Sequence, residues 1–465
     1  MKLDPSIFKA YDIRGIYPTQ INEENIQVVI AAIYQFLTQD FKKKPLTVVL
    51  GRDMRTSSPS LFARAKEVLE NYGATVIDVS LLATPTFYFA VLEGQYDAGI
   101  QISASHNPKE YNGIKFVKRV GTTLIKIGKN TGMDRVKELA STGKFDQKTT
   151  KGTVTSISDS VVKEVDAAMK AVDPKNIKAF KIVADPANAM GAVFLEELFR
   201  RLPCELVKMN FELDGTFPAH QPDPLQFDTL KGLQMRVLEE KADLGIAPDG
   251  DGDRVFFINE KGEVCQATLI TSLIAKEILT KSAGEKIIAD IRNIMNVKKI
   301  CEKYNGKFMV SKVGHALITE QLNREQAAFA GESSGHYYFR ETGGAESSVR
   351  VILYLLSAMG KTEKPVSKLL EEFHSSFESG EYNFILPGTV NANELLEQIS
   401  QDYKDGQISH LDGLAVDYSD WRFNIRSSNT EPLLRLNLEA KSQELMKQKI
   451  SPLQDILLKA GATKK

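Results

Sequence analysis

Asp249, Asp251 and Asp253 alternate with Gly250 and Gly252, and Arg254 follows directly. Carboxylates this close repel one another, so the pattern calls for a cation between them. A hard divalent cation such as Mg²⁺ takes oxygen ligands of this kind. The glycines permit backbone angles that other residues resist, so all three carboxylates can turn inward. Arg254 adds a planar positive fork suited to phosphate. A solvated acidic turn is the plainer alternative. An EF-hand is another, since Asp249, Asp251, Asp253 and Glu260 occupy positions 1, 3, 5 and 12 of such a loop. Its sixth position should be glycine and is Arg254. The flanks ADLGIA and VFFIN read as strands rather than helices, so the EF-hand is rejected.

Four further loops carry chemically able side chains. ISASHNP (102–108) offers Ser105 in a turn ended by Pro108, either as an exposed nucleophilic hydroxyl or as a hydrogen-bonded turn residue. Ser105 and His106 are not read as a hydrolase pair, because sequence neighbours seldom present a base to a nucleophile. YNGIKF (111–116) places Lys115 in a short strand. It is either a general acid/base with a lowered pKa or a solvated strand lysine. SKVGHAL (311–317) and GESSGH (331–336) bring His315 and His336 into glycine-rich turns, and histidine suits proton transfer near neutral pH. Glu332 and Ser334 supply the acceptor and donor that sugar hydroxyls need. RSSNTEP (426–432) gathers Arg426, Ser428, Asn429 and Thr430, a phosphate cradle or a plain polar turn.

These loops need a scaffold, and the apolar pattern supplies one. Strand candidates are Thr47–Leu50, Ala98–Ile102, Lys181–Ala184, Leu244–Ala247 and Lys286–Ala289. Helical stretches lie between them. Ile26, Val29, Ile30, Ile33 and Leu37 share one helical face, and Ser58 is placed to cap a helix opening at Pro59. VVLGRD (48–53), KIVADP (181–186) and KIIAD (286–290) form a weak repeat in which an apolar strand ends in aspartate. The pattern predicts an α/β chain: three related mixed-sheet α/β domains plus a C-terminal α+β domain, with four polar loops facing a central cleft. The expected domains are 1–150, 151–256, 257–369 and 370–465. Apolar content of 42%, charged content of 26% and a net charge of −1 fit a globular protein and give no electrostatic case for nucleic-acid or membrane partners. Cys204, Cys265 and Cys301 show no ligand-like spacing, and MKLDPSIFKAYDIRG (1–15) holds no long apolar run, so neither a signal peptide nor a membrane anchor is expected there. A cytoplasmic location without structural disulfides is expected.

KAYDIRG (9–15), SASHNP, DGDGDR, GESSGH and RSSNTEP occur in one order from residue 9 to about 440. Together they resemble the α-D-phosphohexomutase family, in its phosphomannomutase/phosphoglucomutase branch. The resemblance implies that Ser105 carries a phosphoryl group, and that Asp249, Asp251 and Asp253 bind a Mg²⁺ that also touches it. It implies that Glu332 and Ser334 read the sugar hydroxyls, with His336 beside them as a substrate-binding residue. Arg426, Ser428, Asn429 and Thr430 would grip the non-reacting phosphate. Tyr11, Arg14, Lys115, Arg254 and His315 would surround the reacting one, with Lys115 and His315 as acid/base candidates. The implied reaction moves a phosphoryl group between the 1- and 6-positions of a hexose phosphate, with hexose 1,6-bisphosphate as intermediate and activator. A monomer or weak dimer is expected. The chain departs from the family pattern at Ser103, at the turn DPANAMG (185–191), and at Glu346, where relatives usually carry Asp. The Ser-Asn-Thr cradle favours mannose and glucose phosphates over glucosamine phosphate.

Overall fold

The computed structural model describes residues 3–43, 45–143, 145, 150–427 and 433–465. Strands and helices alternate along most of the chain, as the apolar pattern requires. The helix Glu23–Phe41 buries Ile26, Val29, Ile30, Ile33 and Leu37, and the Asn22 side chain accepts from the amides of Glu24 and Asn25 at its start. The strands Ala98–Ile102 and Lys181–Ala184 have the expected bounds, while Thr47–Arg52, Leu244–Pro248 and Lys286–Asp290 run one or two residues further. One expectation is corrected. Ser58 does not cap the second helix, which spans Ser58–Asn71 with Ser57 in the cap position. The Ser58 hydroxyl instead donates to the buried Asp53 carboxylate at 2.5 Å.

The chain divides into two compact units. Unit 1 comprises Met1–Cys265 and Ser334–Leu369; unit 2 comprises Gln266–Ser333 and Leu370–Lys465. Unit 1 holds two mixed sheets. In the first, Thr47–Arg52 lies parallel between Thr75–Leu81 and Ala98–Ile102. Tyr111–Val120 then runs antiparallel to both Ala98–Ile102 and Ile13–Ile16, and Thr153–Ser156 extends the far edge. In the second sheet, Lys181–Ala184 pairs parallel with Leu244–Pro248 and Glu205–Lys208, and Val255–Asn259 closes one side antiparallel. In unit 2, Lys286–Asp290 pairs parallel with Lys307–Ser311 and Phe329–Gly331. An antiparallel sheet follows, centred on Trp421–Ser427 and Leu433–Ala440, with the helix Gln443–Lys459 packed on it.

The weak repeat has a shared physical basis. At three strand ends an aspartate turns the chain by accepting the amide two residues on: Arg55 N to Asp53 Oδ1 at 3.0 Å, Ala187 N to Asp185 Oδ1 at 2.9 Å, Arg292 N to Asp290 Oδ1 at 2.9 Å. Among the described residues no helix is long and apolar enough to cross a membrane.

Candidate active site

Ser105 sits at the carboxyl end of Ala98–Ile102, where open α/β sheets bind ligands. Its φ is +51°, and its amide donates to Ser103 Oγ at 3.0 Å. This turn aims the hydroxyl at Asp249 Oδ2, 2.9 Å away. The two residues approach because Gly250 lacks a side chain: a Cβ there would stand 2.3 Å from the Ser105 carbonyl oxygen. Contrary to the sequence reading, His106 does reach its neighbour, with Nδ1 at 3.2 Å from Ser105 Oγ. The left-handed backbone at Ser105 folds the two side chains together. Burial, then the charges of Arg254 and Arg14, pushes the His106 pKa well below the ordinary imidazole value.

Asp249, Asp251 and Asp253 are all buried, and one carboxylate oxygen from each lies within 4.8 Å of the others. Burial, together with Asp253 and Asp251, pushes the Asp249 carboxyl well above its usual range. Burial would raise Asp253 too, but the Lys115 ammonium and then His336 hold it well below. Lys115 Nζ donates to Asp251 Oδ2 at 2.6 Å and Asp253 Oδ2 at 2.7 Å. The lowered pKa expected for Lys115 is therefore corrected. Burial alone would depress it, but these two carboxylates carry it well above the usual lysine value. Lys115 also lies in a ten-residue strand, Tyr111–Val120, longer than expected, opposite Gln101 in register. The donor set fits a hard cation. Three carboxylates and a hydroxyl converge, and Asp251 Oδ1 is buried with no hydrogen-bond partner among the described residues.

Arg14, Arg254, His336 and Ser334, also in unit 1, join this group. Arg14 donates to Asn107 Oδ1 at 2.6 Å and pairs with Asp12. The Arg254 amide donates to Asp249 Oδ1 at 3.2 Å, and its Nη1 lies 3.6 Å from Asp223 Oδ1. His336 places Nε2 at 3.2 Å from Asp253 Oδ1, and Nδ1 at 3.1 Å from Ser334 Oγ. Tyr11, half-buried, runs beside Gly128, where a Cβ would lie 3.4 Å from the Tyr11 Cα. The Glu346 departure has a partner: its carboxylate pairs with the buried Lys126, whose ammonium lies 5.0 Å from the Tyr88 ring centroid and 5.2 Å from that of Tyr338.

Unit 2 holds the rest. Glu332 accepts from Arg292 Nη2 at 3.0 Å, and Arg292 Nε donates to Asp290 at 2.8 Å. His315 opens the helix His315–Glu325 after Gly314, whose φ is +133°. Arg426 is buried, with Nη2 at 3.0 Å from Glu381 Oε2. Burial and then the Arg292 charge lower its pKa against the pull of Glu381. Ser428, Asn429 and Thr430 lie outside the described residues. The sequence reading missed Arg55, Lys126 and Arg292. GRDMRTSS (51–58) was the available signal for Arg55, since it puts a charged pair in a loop after a parallel strand.

Four family models match in succession: Phosphoglucomutase/phosphomannomutase alpha/beta/alpha domain I over residues 5–141, domain II over 159–262, domain III over 267–377, and the C-terminal domain over 389–449. A phosphomannomutase of Methanocaldococcus jannaschii is 35% identical over 462 residues, covering 99% of each chain. One of Vibrio cholerae is 35% identical, covering 97% of this chain and 98% of its own. A solved phosphoglucomutase/phosphomannomutase family protein of Burkholderia thailandensis superposes with a TM-score of 0.87 at 28% identity, covering 99% of both chains. With four successive domain models and near full-length relatives, this chain belongs to the phosphoglucomutase/phosphomannomutase family.

Proposed function

We propose that this phosphohexomutase, an isomerase, interconverts hexose 1- and 6-phosphates of mannose and glucose through a phosphoserine at Ser105. The carrying observation is the 2.9 Å approach of Ser105 Oγ to Asp249 inside a buried group of three carboxylates. Asp249, Asp251 and Asp253 are the residues that would hold Mg²⁺, together with the Ser105 phosphate. A Mg²⁺ bound there would neutralise charge on the transferring phosphoryl oxygens.

Phospho-Ser105 gives its phosphoryl group to the free hydroxyl of the sugar. The P–Oγ bond breaks, a P–O bond to sugar C1 or C6 oxygen forms, and the hydroxyl proton leaves to a base. Hexose 1,6-bisphosphate results. Return of its other phosphoryl group to Ser105 completes the exchange, and added bisphosphate recharges an unphosphorylated enzyme. Lys115, beside Asp251 and Asp253, acts as a cation and acid/base residue at the reacting oxygen, and His315 is the second acid/base residue. Arg14, Arg254 and Tyr11 receive the reacting phosphate. Glu332, Ser334 and His336 read the sugar hydroxyls. Arg426 with Ser428, Asn429 and Thr430 grips the other phosphate. The working division is 1–150, 151–256, 257–369 and 370–465, one loop from each. The named relatives are phosphomannomutases, which supports mannose phosphate over glucosamine phosphate as substrate. A solved N-acetylphosphoglucosamine mutase of Aspergillus fumigatus, described with GlcNAc-6P and magnesium, shares the fold at a TM-score of 0.61 and 12% identity.

Peptide mass analysis tests the carrier. Phosphate on the Ser105 peptide, lost together with turnover in Ser105→Ala, is the expected result; full turnover by that variant overturns the reading. Initial rates on mannose 1-phosphate, glucose 1-phosphate and glucosamine 1-phosphate, with bisphosphate present, test the substrate. An amino sugar that runs fastest reverses the assignment.

A further inference from the structure

Arg55 lies outside every loop that the sequence marks for chemistry. Its side chain is 0% exposed. Nη1 donates to the carbonyls of Pro108 at 2.7 Å and Tyr111 at 2.9 Å. Nη2 donates to those of Ser105 at 2.8 Å and Asn107 at 2.6 Å. Nε faces Asp53 Oδ2 at 3.3 Å, and the guanidinium lies 5.1 Å from the Phe217 ring centroid. Gly215 allows a close approach to the Arg55 backbone, since a Cβ there would come 2.6 Å from Arg55 Cα.

Three of the four carbonyls belong to the turn that carries Ser105, and the fourth, that of Tyr111, opens the strand that follows it. Left-handed backbone costs a non-glycine residue about 1 kcal/mol or more, and persists where its surroundings over-determine it. Arg55 is the over-determining group. The Ser105 carbonyl is held between the guanidinium on one side and the backbone of Gly250 on the other. A plain buried arginine satisfying loop carbonyls would stabilise the fold without any bearing on rate. The arrangement here differs because the gripped carbonyls include that of the nucleophile itself.

We propose that Arg55 is a positioning residue for phosphoryl transfer: it fixes the 105–111 turn so that Ser105 Oγ stays on the carboxylates of the 249–253 loop. This rests on the reading of Ser105 as the phosphoryl carrier. Arg55→Lys keeps the charge beside Asp53 but replaces the planar fork by a single ammonium, which cannot span four carbonyls.

Displacement of reacting atoms by about 1 Å costs on the order of 10²-fold in rate. Arg55→Lys is therefore expected to lose roughly 10²-fold in kcat while KM for the hexose phosphate stays within about twofold, since ground-state binding is untouched. Hydrogen exchange gives a readout independent of turnover. The amides of Ser105 and Asn107, bonded in this turn, should exchange faster in the variant. Gly215→Ala, which crowds Arg55 without removing it, should show the same split more weakly and covers the case of an unstable lysine variant. Wild-type kcat with unchanged exchange in these variants overturns the proposal, and so does a rise in KM with kcat preserved. A wild-type enzyme without phosphate on Ser105 fails the carrier reading instead. The exchange data then decide whether Arg55 holds the turn.

Discussion

The turns at Asp53 and Asp290 begin from one local device and end in different uses of arginine. In both, the aspartate accepts the amide of an arginine two residues on and faces that arginine's guanidinium. Arg55 then spends its Nη groups on main-chain carbonyls. Arg292 turns its Nη2 to carboxylates, Glu332 Oε1 at 3.0 Å and Asp290 Oδ2 at 3.3 Å. Carbonyls are fixed features of the backbone, so Arg55 sets a shape. A glutamate side chain can turn, so Arg292 sets the orientation and charge of the Glu332 carboxylate. The third member, Asp185, has Ala187 at the arginine position and pairs with His220 at 3.0 Å instead. The repeat thus conserves the turn geometry within the chain while the side chain two residues on is free to be assigned.

The largest expected effects test the common part. Asp53→Ala and Asp290→Ala each remove a carboxylate partner of a buried guanidinium and the acceptor of an amide, and each should destabilise its unit by about 3–5 kcal/mol in denaturant unfolding. Destabilisation by only one of the two breaks the equivalence.

Next comes what stands behind each turn. Hydroxyls and an amide surround Asp53, namely Ser58, Ser57 and Asn112. Near Asp290 lies another acid, Glu378, which accepts from Asn293 at 3.2 Å and from Thr268. Burial, then Glu439, pushes the Glu378 carboxyl up to about 8 from 4.5. The folded state keeps this proton while the unfolded chain releases it, so the stability it contributes is complete below pH 4.5 and is lost as pH rises to 8. Glu378→Gln should match wild type at pH 4 and exceed it by up to about 5 kcal/mol at pH 9. Parallel pH–stability curves for the two proteins refute this.

The smallest effect separates the arginines. If Glu332 reads the sugar as proposed, Arg292→Lys should raise KM for hexose phosphate about tenfold, or ~1.4 kcal/mol, with kcat little changed, because it loosens that carboxylate. A fall in kcat with KM preserved, the pattern expected of Arg55→Lys, makes the two turns functionally alike.

Local chemistry was legible where function needs an unusual run of residues. Asp249–Arg254 read as a cation loop, and its flanking strands followed from their apolar pattern. The strand-end aspartates were legible as a repeat for the same reason. Partners set by sheet register were not. Lys115 meets Asp251 and Asp253 because Tyr111–Val120 pairs with Ala98–Ile102 in a particular alignment, and nothing near residue 115 encodes that. The inverted expectation for its pKa follows from this. Arg55 was missed on similar grounds, since its acceptors lie 50 to 56 residues away and are carbonyls, which every residue owns.

Unit 1 is discontinuous, and this bears on its synthesis. Ser105, Lys115 and the three aspartates precede residue 265, but His336, Glu346 and the helix Ser348–Thr362, which packs on Ser160–Val172, arrive with the returning segment Ser334–Leu369. The ribosome must add about a hundred further residues, at roughly 5–20 per second, before these pieces meet. For those seconds the nascent chain carries its acidic loop without the histidine and the hydroxyl of Ser348 that donates to the Gly252 carbonyl. The acidic loop of unit 1 therefore gains these partners only after the segment from Ser334 onward has been made.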